Sequence, residues 1–170
     1  FIFDKSKLQD MQHIISLYKK FDKYKDFSRE DTYYHILPSI KLKQYKIHKD
    51  GDMVIGFTNW AFLNKDVEKK FINTGDLQDQ DWNSGNQLWH IDTICVKNLN
   101  KIMSWTKQYF TKKLGINKPI NWLRISDNKV LRKQTRLLNH ITNYPSYSRI
   151  GVIRISDYSR NQNLLGVYRI

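Results

Sequence analysis

Asp81-Trp82-Asn83-Ser84-Gly85-Asn86-Gln87-Leu88-Trp89-His90-Ile91-Asp92-Thr93-Ile94-Cys95-Val96 is a turn followed by a strand. Ser84-Gly85-Asn86 carries turn chemistry, and Leu88–Val96 is rich in β-branched and aromatic residues. Side chains alternate along a strand, so Leu88, His90, Asp92, Ile94 and Val96 are expected on one face, with Trp89, Ile91, Thr93 and Cys95 on the other. A histidine and a carboxylate two residues apart on an apolar strand need a partner or a task. Two readings stay open. One is an edge or strand-end pair facing water or an unseen partner; the other is a pair with a chemical task.

Around this strand the pattern is mixed. Helical spacing runs over Lys5–Phe21, and Ser28 with Asp31 forms a capping box for a second helix, expected to stop near Leu37 because Pro38 follows. His35 lies in that helix, where a core or boundary histidine is the default. Lys43–His48 and Met53–Leu63 alternate as strands across Asp50-Gly51, with Gly56 a candidate bulge. Asn64 caps a short helix to about Asn73, and Thr74–Asn86 is an acidic connection. Asn98–Leu114 is a helix closed by Gly115, and Asn121–Ser126 is a strand. Lys129–His140 reads as a basic helix, followed by strand candidates Tyr147–Ser156 and Leu164–Ile170 that could pair as a hairpin. Hairpins followed by a strand–helix–strand crossover imply an α/β fold, a single-domain mixed sheet flanked by helices over residues 1–170.

The charge is lopsided. Residues 1–96 carry 14 Lys+Arg and 14 Asp+Glu, whereas residues 97–170 carry 15 Lys+Arg and only Asp127 and Asp157. The whole +13 excess therefore sits in the second half, which implies an acidic partner. Zinc-ligand spacings, RNA-binding motifs and glycine-rich phosphate loops are missing, which argues against nucleic acid; a basic binding module is the non-enzymatic alternative. No run of about 18 apolar residues predicts a membrane span. Phe1–Lys5 does not read as a signal peptide, and the lone Cys95 reads as a buried inert thiol, so the expected compartment is the cytoplasm.

Four ordered stretches carry a resemblance. Asp81-Trp82-Asn83-Ser84-Gly85 with Trp89-His90-Ile91-Asp92 resembles the D-W-x-S-G…W-x-I-D signature of the hemolysin-type (RTX) toxin-activating lysine acyltransferases. Ile36-Leu37-Pro38-Ser39-Ile40…Gln44-Tyr45, Asn59-Trp60-Ala61-Phe62-Leu63-Asn64 and Leu123-Arg124-Ile125-Ser126-Asp127 resemble three further motifs of that family. The resemblance covers residues 11 to about 127. It implies an acetyltransferase-like fold in which a central strand splays from its neighbour to admit an acyl donor. It implies transfer of a fatty acyl group from acyl carrier protein, with no bound cofactor and no metal, to internal lysines of a protein toxin.

The family's catalytic aspartate carries over onto Asp92. Its catalytic histidine falls on Tyr24. Three accounts follow: His90 has taken over, Tyr24 acts as a weaker acid/base, or the chain is a catalytically altered subunit working in a homodimer or with a heteromeric partner; on the first, His90 and Asp92 are expected to open into one groove beside the end of the Asn59–Leu63 segment, with Ser84 and Asn86 near its rim. Asn59, Ser84, Asn86, Arg124, Arg132, Lys133 and Arg136 are the expected substrate- or carrier-binding residues. A related function is peptide maturation, as in attachment of a siderophore to a microcin.

Overall fold

The computed structural model describes residues 3–21, 24–125, 131–138, 153–154 and 166–169. Helix α1, Lys5–Tyr18, starts at Asp4, whose carboxylate accepts from the Lys7 amide at 2.8 Å. It buries Met11, Ile14, Ile15, Leu17 and Tyr18. Helix α2, Arg29–Lys41, opens with the expected capping box: Asp31 N–H donates to Ser28 Oγ and Ser28 N–H to Asp31 Oδ2, both at 2.9 Å. It does not stop at Leu37. Pro38 sits inside the helix, which runs one further turn because Ile40 and Pro38 are buried beside Ile36 and Leu37. Packing of that apolar turn outweighs the lost amide and the restriction proline imposes on its predecessor.

Strands β1 (Tyr45–Asp50) and β2 (Met53–Leu63) pair antiparallel across Gly51, whose φ of +60° suits glycine. Helix α3, Lys65–Thr74, is capped by Asn64 and ends at Gly75 in the left-handed conformation. Strand β3 (Gln87–Cys95) pairs antiparallel with β2, and helix α4 (Leu99–Leu114) crosses over to β4 (Pro119–Ile125), parallel to β3. Strands β5 (Leu131–Leu137), β6 (Ile153–Arg154) and β7 (Gly166–Arg169) complete a seven-stranded mixed sheet in which β1-β2-β3-β4-β5 run in order. The expected C-terminal hairpin is present as β6 on β7; the rest of those two strand candidates lies outside the described residues.

The basic helix expected over Lys129–His140 is instead strand β5, registered against β4 from Leu137 opposite Pro119 to Leu131 opposite Ile125. Leu-Arg-Lys-Gln-Thr-Arg-Leu suits either state by composition. The open edge of β4 presents backbone groups that need partners, and a basic strand satisfies them.

Helices α1, α2 and α3 cover one face of the sheet and α4 the other. Ile55, Phe57 and Ile94 pack with α1 and α2, while Ala61, Leu63, Trp89 and Ile91 pack with Phe71 of α3. Trp60, Leu88 and Phe110 form the core under α4, and Trp122 packs on Met103. Trp60, Trp89 and Trp122 are all buried against the sheet, as their aromatic bulk predicts.

The ladder between β2 and β3 is broken once. Trp60 opposes His90, but Asn59 opposes Asp92, leaving Ile91 as an extra residue on β3. This is a β-bulge, and it reverses the alternation. Leu88 and His90 face α4; Asp92 and Ile94 face α1 and α2. The expectation that His90 and Asp92 share one face is thereby corrected. A second irregularity leaves Ile55 without an opposite residue on β1, next to Gly56. At Gly56 an added Cβ would lie 2.5 Å from Ile102 Cδ1, so α4 rests directly on that glycine.

Beneath α4, both ring nitrogens of His90 are buried without a hydrogen-bond partner among the described residues. Burial, with the neighbouring His48 adding to it and Asp92 opposing it, pushes the His90 pKa down to about 3. Burial and then Lys46 push His48 down to about 4. Burial also drives the Cys95 thiol up to about 12, consistent with an inert buried thiol.

Two outcomes follow for stability. In the unfolded chain both histidines protonate near 6.5, whereas in the fold they stay neutral to about 4 and about 3. The unfolded state then binds more protons, so stability is full above about pH 6.5 and falls as pH drops toward 3. Denaturant titrations at stepped pH should show this slope, and His90→Phe should flatten it. At Gly85 an added Cβ would meet the Asn64 and Leu63 backbone at 2.5–2.7 Å. Gly85→Ala should therefore cost about 1–3 kcal/mol in the same assay, more than Gly56→Ala, where the nearest atom is the tip of a side chain.

Candidate active site

The bulge delivers Asp92 to the helical face, fully buried. Two side chains meet its Oδ2: Tyr18 Oη donates at 3.0 Å from the last turn of α1, and His35 Nε2 lies at 2.7 Å from the middle of α2. The Asp92 amide donates to Asn59 Oδ1 at 2.9 Å, and Asn59 Nδ2 donates to Ser39 Oγ at 3.2 Å. A buried carboxylate accepting from an imidazole fixes the tautomer, Nε2–H toward Asp92, and leaves Nδ1 as the basic atom.

His35 is the residue sequence reasoning passed over. Its side chain is 25% exposed while that of Asp92 is 0%, so the imidazole stands between the carboxylate and solvent. It also lines a cleft of about 130 Å³ whose walls include Pro38, Phe71, Leu77, Trp82 and Ile91. The signal was available in helical spacing: His35 and Ser39 are one turn apart on α2, and Ser39 reaches Asn59.

The other expected residues fall in three places. Tyr24 is buried beside the site, its ring centroid 5.9 Å from that of His35 and 4.8 Å from that of Tyr18. Position 24, where the family histidine was expected, and position 35, where a histidine stands, thus bring neighbouring rings to one spot. His90 is on the opposite face, against Phe110. Asn59 belongs to the site, through Asp92.

Ser84 and Asn86 do not meet Asp92. Ser84 Oγ accepts from the Asn64 amide at 3.1 Å, and Ser84 and Gly85 amides donate to the Phe62 carbonyl, which pins the β2–α3 junction. Asn86 Oδ1 accepts from the adjacent Gln87 at 3.3 Å. Arg124 and Arg132 are backbone register partners on β4 and β5, and Arg136 is registered opposite Ile120. Lys133 lies on the α3 side, with Nζ 3.2 Å from Glu68 Oε1 and 5.7 Å from the Trp89 ring centroid.

The remaining motif residues hold this arrangement. Gln44 Nε2 donates to the Trp60 and Trp82 carbonyls at 3.0 and 3.1 Å, tying β1, β2 and the turn before β3 together. Asp81 caps the Asp79–Asp81 turn through the Gln78 amide and pairs with Lys70 at 2.8 Å. Trp89 Nε1 donates to Glu68 Oε2 at 2.7 Å.

A carboxylate, an imidazole and an adjoining cleft are the parts from which a general base can be made. The chain is 28% identical over 97 residues to a leukotoxin-activating lysine-acyltransferase of Pasteurella haemolytica-like sp. (strain 5943B), covering 52% of this chain and 59% of that enzyme. It is 38% identical over 61 residues to a protein-lysine myristoyltransferase of Kingella kingae, covering 35% of this chain and 36% of that enzyme. A protein-lysine myristoyltransferase of Escherichia coli is 34% identical over 61 residues, with the same coverage. These alignments span at most about three-fifths of each relative. Residues 4–137 match the sequence model of the RTX toxin acyltransferase family, which takes in α1 through β5 and every residue of the Asp92 network, and the chain belongs to that family.

Proposed function

We propose that this protein transfers a fatty acyl group from the thioester of acyl carrier protein to an internal lysine of a protein toxin, with His35 as general base. The observation that carries the reading is the 2.7 Å contact between His35 Nε2 and the buried Asp92, with the imidazole open to the cleft. A lysine amine is mostly protonated near neutral pH and cannot attack as the ammonium. The free amine, its extra proton lost to solvent, attacks the thioester carbonyl; His35 Nδ1 takes a proton from the attacking nitrogen as the amide N–C bond forms and the C–S bond breaks. The proton then passes from the imidazolium to the leaving thiolate. Asp92 does not exchange the proton; it orients the ring and stabilises the imidazolium.

Support for a carrier-protein donor is electrostatic. The 15 Lys+Arg against 2 acids in residues 97–170 would attract an acidic carrier, and the reaction would take place in the cytoplasm. The β3–β4 pairing is registered only at Trp89 opposite Asn121, and further along β3 pairs with β7 instead, from Thr93 opposite Tyr168 to Cys95 opposite Gly166.

Acylation of a co-expressed toxin fragment, read by intact mass, tests the assignment. His35→Ala and Asp92→Asn should each slow transfer by about 100-fold or more. His90→Phe should stay within a few-fold of the parent, because that ring is on the other side of the sheet. In a His35→Ala background, Tyr24→His should restore part of the rate, since the two rings adjoin. Undiminished transfer by His35→Ala would remove this mechanism, and loss in Tyr24→Phe alone would move the base to Tyr24.

A further inference from the structure

The cleft beside His35 has a floor and a mouth of different character. Phe71, Trp82 and Ile91 are buried and apolar, whereas Asp76 and Asp79 are exposed at its edge. Gly75, the C-terminal cap of α3, also lines it. The C-terminal end of a helix carries partial negative charge, and the last turn of α3 contains no basic residue to offset it. Asp81 is engaged by Lys70, but neither Asp76 nor Asp79 has an ion-pair partner among the described residues. A negative mouth on a chain of net charge +13 runs against the general field of the molecule.

We infer that this cleft is the acceptor site, and that it admits one lysine side chain in its cationic form from a protein segment. The inference rests on the acyl-transfer reading above and says from which side the acceptor arrives. Asp76, Asp79 and the α3 terminus attract the ammonium at the mouth. The apolar stem of lysine packs on Phe71 and the bulged Ile91, as long cationic side chains do on apolar surface. On passing from the mouth into the apolar part of the cleft the nitrogen gives up one proton to solvent water, since burial favours the neutral form, and it meets His35 as the free amine. The same mouth repels an acidic carrier protein, so donor and acceptor enter by different routes.

Asp76→Asn/Asp79→Asn tests this, since both positions are exposed and the fold should keep its melting temperature. At low salt the KM for a lysine-containing toxin peptide should rise about three- to tenfold, with kcat and the KM for acyl carrier protein unchanged. The parent's dependence of acceptor KM on ionic strength should flatten in the variant. An unchanged acceptor KM, or a change confined to the carrier KM, overturns the assignment. Calorimetric binding of the lysine peptide against its norleucine counterpart needs no turnover and separates the two proposals. Discrimination that the variant loses, without acyl transfer by the parent, would uphold the site and sink the reaction. Transfer without discrimination would do the reverse.

Discussion

A fully buried carboxylate is the constraint from which the architecture around the site follows. Asp92 cannot be left in an apolar layer without hydrogen bonds, because desolvating a charge costs several kcal/mol even after relaxation. The fold brings it donors from two helices, Tyr18 from α1 and His35 from α2. A third contact, from Asn59 on the neighbouring strand, holds the Asp92 backbone instead, by accepting its amide. Each partner belongs to a different segment. Seating this one side chain therefore fixes α1 and α2 against the sheet, and orients the ring that meets solvent.

The bulge at Ile91 makes that possible. Without the extra residue, Asp92 would share the α4 side with His90, among Trp60, Leu88 and Phe110. With it, the strand serves two layers of different chemistry. Under α4 lie neutral histidines and tryptophans packed as core; under α1 to α3 lie the carboxylate, its donors and the cleft. The family motifs divide along the same line of duty. Asp92, Asn59 and Ser39 form the site, while Gln44, Asp81 and Gly85 brace the turn before β3.

Much of this was legible in the sequence, for identifiable reasons. Capping residues, the Asp50-Gly51 turn and the apolar periods located α1, α3, α4 and the first three strands, because those signals are local. Strict alternation failed at His90 and Asp92 because a bulge is set by the partner strand, which no local pattern reveals. The basic helix failed at β5 for a related reason: the free edge of β4 decided the state of a segment whose own propensity was indifferent. His35 was passed over because a histidine was sought at the family's aligned position and at His90 on β3. Its role depends on which face of α2 meets the sheet, and only Ser39, one turn away, hinted at that.

The 2.7 Å contact also joins two layers that are otherwise held by packing and by the Asn59–Ser39 and Tyr18–Asp92 hydrogen bonds. Asp92 is fixed in the sheet by backbone pairing, whereas His35 rides on a helix that can lift away as a unit at less cost than global unfolding. A separation of α2 by the width of one water molecule would leave secondary structure intact and break the dyad. If His35 is the base, as proposed, acyl transfer requires α2 docked on the sheet, and the His35 ring reports directly on whether that docking is in place.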